Sequence, residues 1–465
     1  MDVARLTIDV LPDEVLLEIF SCYVELEEYR SRSAWHTLAR VCRRWRGIAY
    51  GSPRRLNLRI FCSERTPVSL RKKLDFWPPF PIFLAVDFYR KLGEDNILAT
   101  LEHHDRVCHI EIWNISSSLW EMVLPLMQKP FPMLKNLCLR YTDEMASVVP
   151  DFFLGGSAPQ LRKLNLEGIS FPGLPNLLSS TTDLVDLELL DIPDFGYIAP
   201  EEMVTCISTL TRLDSLQIDF KSPRRRPEWG RQRTKSSSTR ALLPSLTYFA
   251  FGGVSEYLED IVDRINAPLL DKLRIRFFHQ TIFDTPRLAQ FISRAPKLKT
   301  CNEARMRLGS WRTYVKLFSR SKTTTNLNAY LLLEDWCGQP DFQLSPLVQF
   351  CTSSIPQALI PMVECLTIVG CSSPEQDDIG SSLWRELLQL FTAVKDLYLC
   401  PEITSRIALV MRELVGESVI ELLPILQNLF LKELRPTGLV PEGIEQFVAA
   451  RQLASHPVSV SFRDT

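Results

Sequence analysis

The chain of 465 residues has little of what enzymes and metalloproteins use for chemistry. It contains only six histidines, and it lacks a glycine-rich phosphate loop, a Gly-x-Ser-x-Gly motif and a His-Glu-x-x-His motif. His103 and His104 are adjacent in a predicted helix, so their rings point in different directions and do not make a metal site. The sequence therefore predicts a protein that is not an enzyme and has no cofactor and no metal.

Long apolar runs and a one-sided charge are also missing. No stretch is apolar over the roughly 20 residues that a membrane helix requires, and acidic residues interrupt the N-terminus, which argues against a signal peptide. The net charge is −2, so nucleic acid is not an expected partner. The 12 cysteines include no Cys-x-x-Cys pair, which favours reduced thiols and a cytoplasmic or nuclear location.

Two amphipathic helices are predicted near the N-terminus. Pro12 suits a first helical position, and apolar residues recur after it at helical spacing. The charged residues 25–32 are expected to form a loop or a frayed turn. Ser33 is expected to cap a single second helix that stops before Gly51.

This stretch resembles the F-box, with its Leu-Pro start, an apolar helix ending Ile-Phe and a second helix carrying Val-Cys-Arg-Arg-Trp. The F-box family docks onto a Skp-type adaptor, which connects it to a cullin–RING ubiquitin ligase, so the resemblance implies those partners. The residues expected to face the adaptor are Leu11, Pro12, Leu16, Ile19, Phe20, Leu38, Val41, Cys42 and Trp45. A fair share of these residues is expected to face the first repeat instead of the adaptor. The alternative to an F-box is that the two helices belong to an ordinary packed core.

From residue 107 onward a Leu-x-x-Leu-x-Leu frame recurs at a mean spacing of about 29 residues. Strong copies begin at Leu134, Leu161, Leu184, Leu213, Leu270, Val363, Val394 and Leu426. Weaker copies begin at Val107, Leu246, Leu298, Leu327 and Val458. Proline stands two residues before the first apolar position in seven copies, where it is expected to end a helix and start a strand.

The frame resembles an irregular leucine-rich repeat, and the whole chain resembles the fungal F-box proteins. The expected fold is α/β, with a helical F-box at 8–52, a junction with the first irregular repeats at 53–106 and a solenoid over 107–465. The solenoid would be a horseshoe with parallel strands on its concave face and helices on its convex face. A doubly wound α/β enzyme is the alternative.

Because strand side chains alternate, the residues that flank the last two leucines of each frame are expected on the concave face. They predict an acidic middle with Asp186, Glu188 and Asp219, followed by a basic stretch. An apolar C-terminal third, with Leu331, Leu333, Thr367 and Val369 among its residues, comes after it. The candidate substrate-binding residues are Lys272, Arg274, Arg276, Tyr398 and Phe430. Equally, a loop or the C-terminal tail could cover the concave face, in which case these residues belong to the core.

The segment 221–240 is basic, with eight cations against one acid. It is interpreted as a nuclear-import signal, a clamp for an acidic or phosphorylated segment, or a solvated insertion. The chain as a whole is predicted to be the substrate-recognition subunit of an SCF-type ubiquitin ligase with an unknown target protein and no membrane partner. The alternatives are an interaction scaffold that acts without a ligase and, less favoured, an α/β enzyme.

Overall fold

The protein is described from a computed structural model. The structure describes residues 8–28, 35–53, 56, 60–62, 70–76, 78–86, 93–142, 147–221, 240–278, 283–309, 311–320, 327–336, 344–370, 381–414, 418–432 and 440–463. Ser33 and residues 222–239 of the basic segment lie outside these ranges. The chain divides into two compact units, Met1–Leu184 and Val185–Thr465. Within the described ranges no helix has the length and apolar character needed to span a bilayer.

The first unit begins with three helices and continues with a parallel sheet. The helices are α1 (Asp13–Glu28), α2 (Trp35–Val41) and α3 (Arg43–Gly51). The elements that follow are β1 (Ile60–Cys62), α4 (Leu70–Phe76), β2 (Ile82–Val86), α5 (Glu94–Glu102), β3 (Val107–Ile115), α6 (Ser117–Leu126), β4 (Asn136–Tyr141), β5 (Ser147–Val148), β6 (Lys163–Glu167), β7 (Ile169–Ser170) and α7 (Leu174–Ser179). Strands β1, β2, β3, β4 and β6 are neighbours in that order and all parallel, whereas β5 pairs with β7 alone.

The second unit alternates strands and helices in the same way. Its elements are β8 (Asp186–Ile192), α8 (Pro200–Ser208), β9 (Ser215–Phe220), β10 (Ala241–Leu242), β11 (Tyr248–Gly253), α9 (Ser255–Arg264), β12 (Ile265–Asn266), β13 (Lys272–Phe278), α10 (Pro286–Ser293), β14 (Glu303–Leu308), β15 (Thr313–Arg320), β16 (Leu327–Trp336), α11 (Leu344–Gln349), β17 (Cys365–Gly370), α12 (Ser381–Gln389), β18 (Asp396–Leu399), α13 (Pro401–Arg412), α14 (Ser418–Glu421), β19 (Asn428–Lys432), α15 (Glu442–Leu453) and β20 (Ser459–Arg463). The main strand order is β8, β9, β11, β13, β16, β15, β14, β17, β18, β19, β20.

Each strong copy of the leucine frame leads into a parallel strand, as predicted. In β4, for example, Leu137 and Leu139 are fully buried, and both neighbours across the sheet carry apolar residues in register with them. Burial of one leucine side chain contributes roughly 2 kcal/mol, so the buried positions of the repeated frame make a large contribution to the core. Each of these strands therefore has a buried face, which is called the core face below. Its opposite face, with mostly half-buried or exposed side chains, is called the open face.

Where a proline precedes the leucine frame, it can form part of a turn. Phe131 accepts a hydrogen bond from the N–H of Leu134 at 3.1 Å, and Ala267 accepts one from Leu270 at 3.2 Å. Proline occupies the second position of each of these turns, where its fixed φ is favourable. Helix α6 already ends at Leu126, so proline in this copy forms the turn into the strand rather than terminating the helix.

The expectation of parallel strands throughout is wrong for the copies at Leu298 and Leu327. Strand β15 is antiparallel to both β14 and β16, and it lies between them in the sheet. The connections 309–312 and 321–326 are too short for the crossover that a parallel pair needs, so the chain turns back on itself twice. Strand β14 then pairs with β17, and β16 pairs with β13.

The two hairpins formed by β14, β15 and β16 also give β16 a register that differs from the expected one. Leu331 and Leu333 were expected on the binding face, but they pair with Leu273 and Ile275 and are buried in the core. Tyr330, Leu332 and Glu334 lie on the open face instead, because a shift of one residue moves every side chain of a strand to the other face.

Arginines on later repeats donate to backbone carbonyls of earlier ones. Arg106 donates to Pro78 and Phe80, and Arg294 donates to Val262 and Ile265. The third, Arg451 on α15, is fully buried, and burial lowers its pKa. It donates to the carbonyls of Val419, Leu423, Pro424 and Leu426 at 3.1–3.4 Å. These bonds give donors to carbonyl groups in α14 and in the turn after it, where the Leu423 carbonyl also accepts the N–H of Leu426.

Replacing Arg451 with leucine is expected to lower the free energy of unfolding by about 3 kcal/mol, because several buried carbonyls lose their donors. Chemical denaturation followed by circular dichroism measures this. The matched variant Arg412→Leu changes an exposed arginine on α13 and is expected to stay within about 0.5 kcal/mol of the parent. Equal effects of the two variants would contradict the role of Arg451.

Candidate functional site

The first candidate surface is built on the three N-terminal helices. Leu16 and Phe20 of α1 are fully buried, and the ring of Phe20 lies 4.8 Å from the ring of Trp45 on α3. Leu38 and Ala39 of α2 complete this small core. The buried positions of α1 are four residues apart, so they lie on one side of the helix.

Arg44 joins the start of α1 to α3. Its Nη2 donates to Asp13 Oδ1 at 2.6 Å and to the Leu11 carbonyl at 2.6 Å, and its Nε donates to the same carboxylate at 3.1 Å. The guanidinium thus holds the Leu-Pro segment against α3. Both side chains of the ion pair are more than a third exposed, so its main effect is on geometry rather than on stability.

Two local expectations for this region are corrected. The predicted second helix is two helices, because Cys42 is extended with φ −155° and its Sγ accepts the N–H of Trp45, capping α3. Helix α1 continues through Glu28, into the segment 25–32 that was expected to be a loop or a frayed turn. A cysteine cap is rare among N-caps, which is why the helical spacing alone did not reveal the break.

The structure separates the nine predicted adaptor-facing residues by exposure. Leu16, Phe20 and Leu38 are buried and form the core of the helices. Leu11, Cys42 and Trp45 are half-buried. Pro12, Ile19 and Val41 are exposed, with Ile19 at 41% and Val41 at 56%.

A row of exposed residues remains along α1. Pro12, Val15, Ile19 and Cys22 are spaced by three or four residues and are all exposed; they are called the α1 stripe below. Ile8 and Val10, just before the helix, are also exposed large apolar residues. Val15 is not among the nine residues predicted from the sequence, although its spacing of four from Ile19 could have indicated it. Clustered exposed apolar residues are typical of protein-binding surfaces.

The second candidate surface is the open face of the second unit, where the predicted basic residues are partly neutralised. Arg274 donates to Glu334 at 2.8 Å, and Arg276 donates to Asp219 at 2.9 Å and to Glu334 at 3.4 Å. Arg312 also pairs with Glu334, at 3.1 Å. The predicted acidic middle and basic stretch are therefore joined by ion pairs, and Glu334, which is fully buried, was missed because the register of β16 was wrong.

Gly252 makes the pairing of Asp219 with Arg276 possible. Asp219 on β9, Gly252 on β11 and Arg276 on β13 stand in one register row across three strands. A Cβ atom on Gly252 would overlap Asp219 Oδ1, so the absence of a side chain lets the carboxylate reach across the strand. Burial raises the pKa of Asp219, while the charge of Arg276 acts in the opposite direction.

Aromatic rings lie beneath the cations of this face. Arg276 lies 4.8 Å from the ring centre of Trp336, Arg312 lies 5.0 Å from Tyr314, and Lys316 lies 4.9 Å from Tyr330. Burial raises the pKa of Tyr330 to about 12, so the phenol is neutral at physiological pH. Further along the face, Tyr398 and Phe430 stack on each other at 4.4 Å, and both are half-buried.

His104 lies 2.8 Å from the Pro130 carbonyl through Nδ1, and no cluster of three or more metal-binding side chains occurs among the described residues. Burial raises the pKa of the Cys301 thiol to about 12, which leaves it protonated and unreactive.

Residues 8–59 match the F-box-like family. The match covers the three helices and the residues that follow them, and it supports the interpretation of this chain as an F-box protein. F-box domains bind Skp-type adaptors of cullin–RING ligases. No curated protein matches this chain.

The two sides of α1 are expected to respond differently to truncation. Phe20→Ala removes a buried ring and should lower the stability of the three-helix region by about 3–5 kcal/mol. Val15→Ala, on the α1 stripe, should change it by less than about 0.5 kcal/mol. Hydrogen exchange of α1–α3 amides in the full chain measures both. Comparable loss of protection in both variants would show that the α1 stripe is part of the core.

Proposed function

We propose that this protein is the substrate-recognition subunit of an SCF-type ubiquitin ligase. The observation that carries the proposal is the α1 stripe, an exposed apolar row on a helical region that matches the F-box-like family. The buried set on the same helix already stabilises the region, so the exposed set has no packing role within it. A Skp-type adaptor is the partner whose binding would bury it.

We infer that the adaptor contacts centre on Val15 and Ile19, with Pro12 and Val41 at their side. The half-buried Leu11 and Trp45 support this surface, since Arg44 fixes the backbone of Leu11 against α3. A few side chains near the centre of a protein–protein interface usually contribute most of its binding energy.

The repeats would hold the target protein. We propose that they form a leucine-rich-repeat solenoid and that its open face is the target-binding surface. Ubiquitin would be transferred on other subunits, which act by holding the target close to the transfer site. The chain itself would carry out no covalent chemistry, and it would work in the cytoplasm or the nucleus.

The double variant Val15→Asp/Ile19→Asp is expected to lower recovery of the adaptor at least tenfold, because two charges would be buried without partners in the interface. The measurement is affinity purification of the full chain from cells, with the adaptor and the cullin quantified by mass spectrometry. Circular dichroism checks that the variant is folded.

The matched control is Leu453→Asp, which adds a charge at an apolar residue that is 88% exposed on α15. It is expected to leave adaptor recovery unchanged. Adaptor recovered without cullin from the parent chain would favour a scaffold that acts without a ligase. Unchanged adaptor recovery from the double variant would contradict the proposed contact surface.

A further inference from the structure

The open face of β13–β16 carries more cations than acids. The described cations on this patch are Lys272, Arg274, Arg276, Arg305, Arg307, Arg312 and Lys316. The described acids on the open face of the same strands are Glu303 and Glu334, and Asp219 reaches the patch from β9. These residues together are called the cationic patch.

Internal ion pairs use only part of this charge. Glu334 and Asp219 are occupied by Arg274, Arg276 and Arg312. Arg305 and Arg307 are exposed, and neither forms an ion pair with any residue that the structure describes. Their positive charge is available to a partner.

Arg305 also lies directly opposite Lys316 in the β14–β15 ladder. Burial and the charge of Arg305 both lower the pKa of Lys316. Like charges directly opposite each other on neighbouring strands destabilise a sheet, and an anion between them would remove the repulsion. This like-charge pair on the open face, with Arg305 exposed and Lys316 half-buried, therefore points to an anionic partner.

The spread of the cations favours several carboxylates over a single dianion. Strands β13 and β14 are three steps apart in the sheet, or roughly 14 Å, and alternate residues on a strand are roughly 7 Å apart. One phosphate would reach a single pair of cations, whereas a run of acidic residues can contact the whole patch.

The aromatic rings of the patch argue against nucleic acid. Tyr314, Tyr330 and Trp336 have Arg312, Lys316 and Arg276 over their rings. Bases bind single-stranded sites by stacking on open ring faces, and these faces are taken by the protein's own cations.

An apolar contact lies in the same row as Arg305. Arg305 on β14 pairs with Thr367 on β17, which pairs with Tyr398 on β18, which pairs with Phe430 on β19. Tyr398 is two strand spacings from Arg305, roughly 10 Å, a length that about three extended residues span. The stacked rings of Tyr398 and Phe430 thus lie at a fixed distance from the cations.

We propose that the open face binds an extended acidic segment of a protein, with carboxylates on the cationic patch and an apolar side chain on Tyr398 and Phe430, about three to five residues from the nearest carboxylate. The proposal rests on the proposed function, in which this face holds the target. It names Arg305, Arg307 and Lys316 as binding residues beyond the candidates that the sequence indicated.

The test is fluorescence anisotropy of the full chain with labelled peptides. The probe peptide has about four glutamates, a Gly-Ser spacer of about three residues and a Leu-Phe pair. It is expected to bind with an affinity that falls as salt rises. Replacing its glutamates with glutamine, or lengthening the spacer to about ten residues, should weaken binding about tenfold or more.

The double variant Arg305→Ala/Arg307→Ala is expected to weaken binding of the probe about tenfold. The control is Arg385→Ala, an exposed arginine on helix α12 of the same unit, which should leave binding unchanged. Equal affinity of parent and double variant, or of glutamate and glutamine peptides, would overturn the proposal. So would tighter binding of a phosphoserine peptide or of oligouridine than of the glutamate peptide.

Adaptor recovery with the Arg305→Ala/Arg307→Ala variant separates this proposal from the function on which it rests. It should equal that of the parent chain, since the cationic patch belongs to the second unit and the α1 stripe to the first. The proposed function is tested by adaptor binding of the Val15→Asp/Ile19→Asp variant. The acidic-segment proposal is tested by peptide binding of the Arg305→Ala/Arg307→Ala variant.

Discussion

Side chains of a strand alternate between two faces, and each leucine frame places its last two apolar residues two positions apart. Burying both therefore fixes which residues of that strand point away from the core. Neighbouring parallel strands keep their leucines in register, so the residues between them also align across the sheet. The row of Asp219, Gly252, Arg276 and Glu334 exists because the apolar residues beside it are buried, namely Ile218, Phe251, Ile275 and Leu333.

The two hairpins that interrupt the parallel order concentrate charge on the open face. They insert β15 between β16 and β14, and they place Arg305 opposite Lys316 and Glu334 beside three arginines. A buried carboxylate is stable only with such partners, so Glu334 organises the arginines around itself. Arg305 and Arg307 lie outside that arrangement, which leaves the patch with its excess of positive charge.

The N-terminal helices divide their apolar residues in a different way. On α1, Leu16 and Phe20 hold the helices together, while Val15 and Ile19, each one position earlier, stay exposed. Successive helical residues are about 100° apart, so a helix with adjacent apolar residues has an apolar surface wider than one contact can bury. One part of that surface is the core of the region, and the other part is open to a partner.

The sequence by itself determined the local structure of this protein. The leucine spacing predicted the strands and the residues buried in them, the Leu-Pro and Val-Cys-Arg-Arg-Trp segments predicted the helical region, and Arg274 and Arg276 were selected on the correct face. Only the tertiary structure decided that β15 runs antiparallel, that Glu334 and not Leu333 lies on the open face, and that Val15 is exposed while Leu16 is buried. The physical reason is that periodicity describes one element at a time. Strand pairing and exposure depend on which distant segments meet, and the spacing of residues along the chain does not specify that.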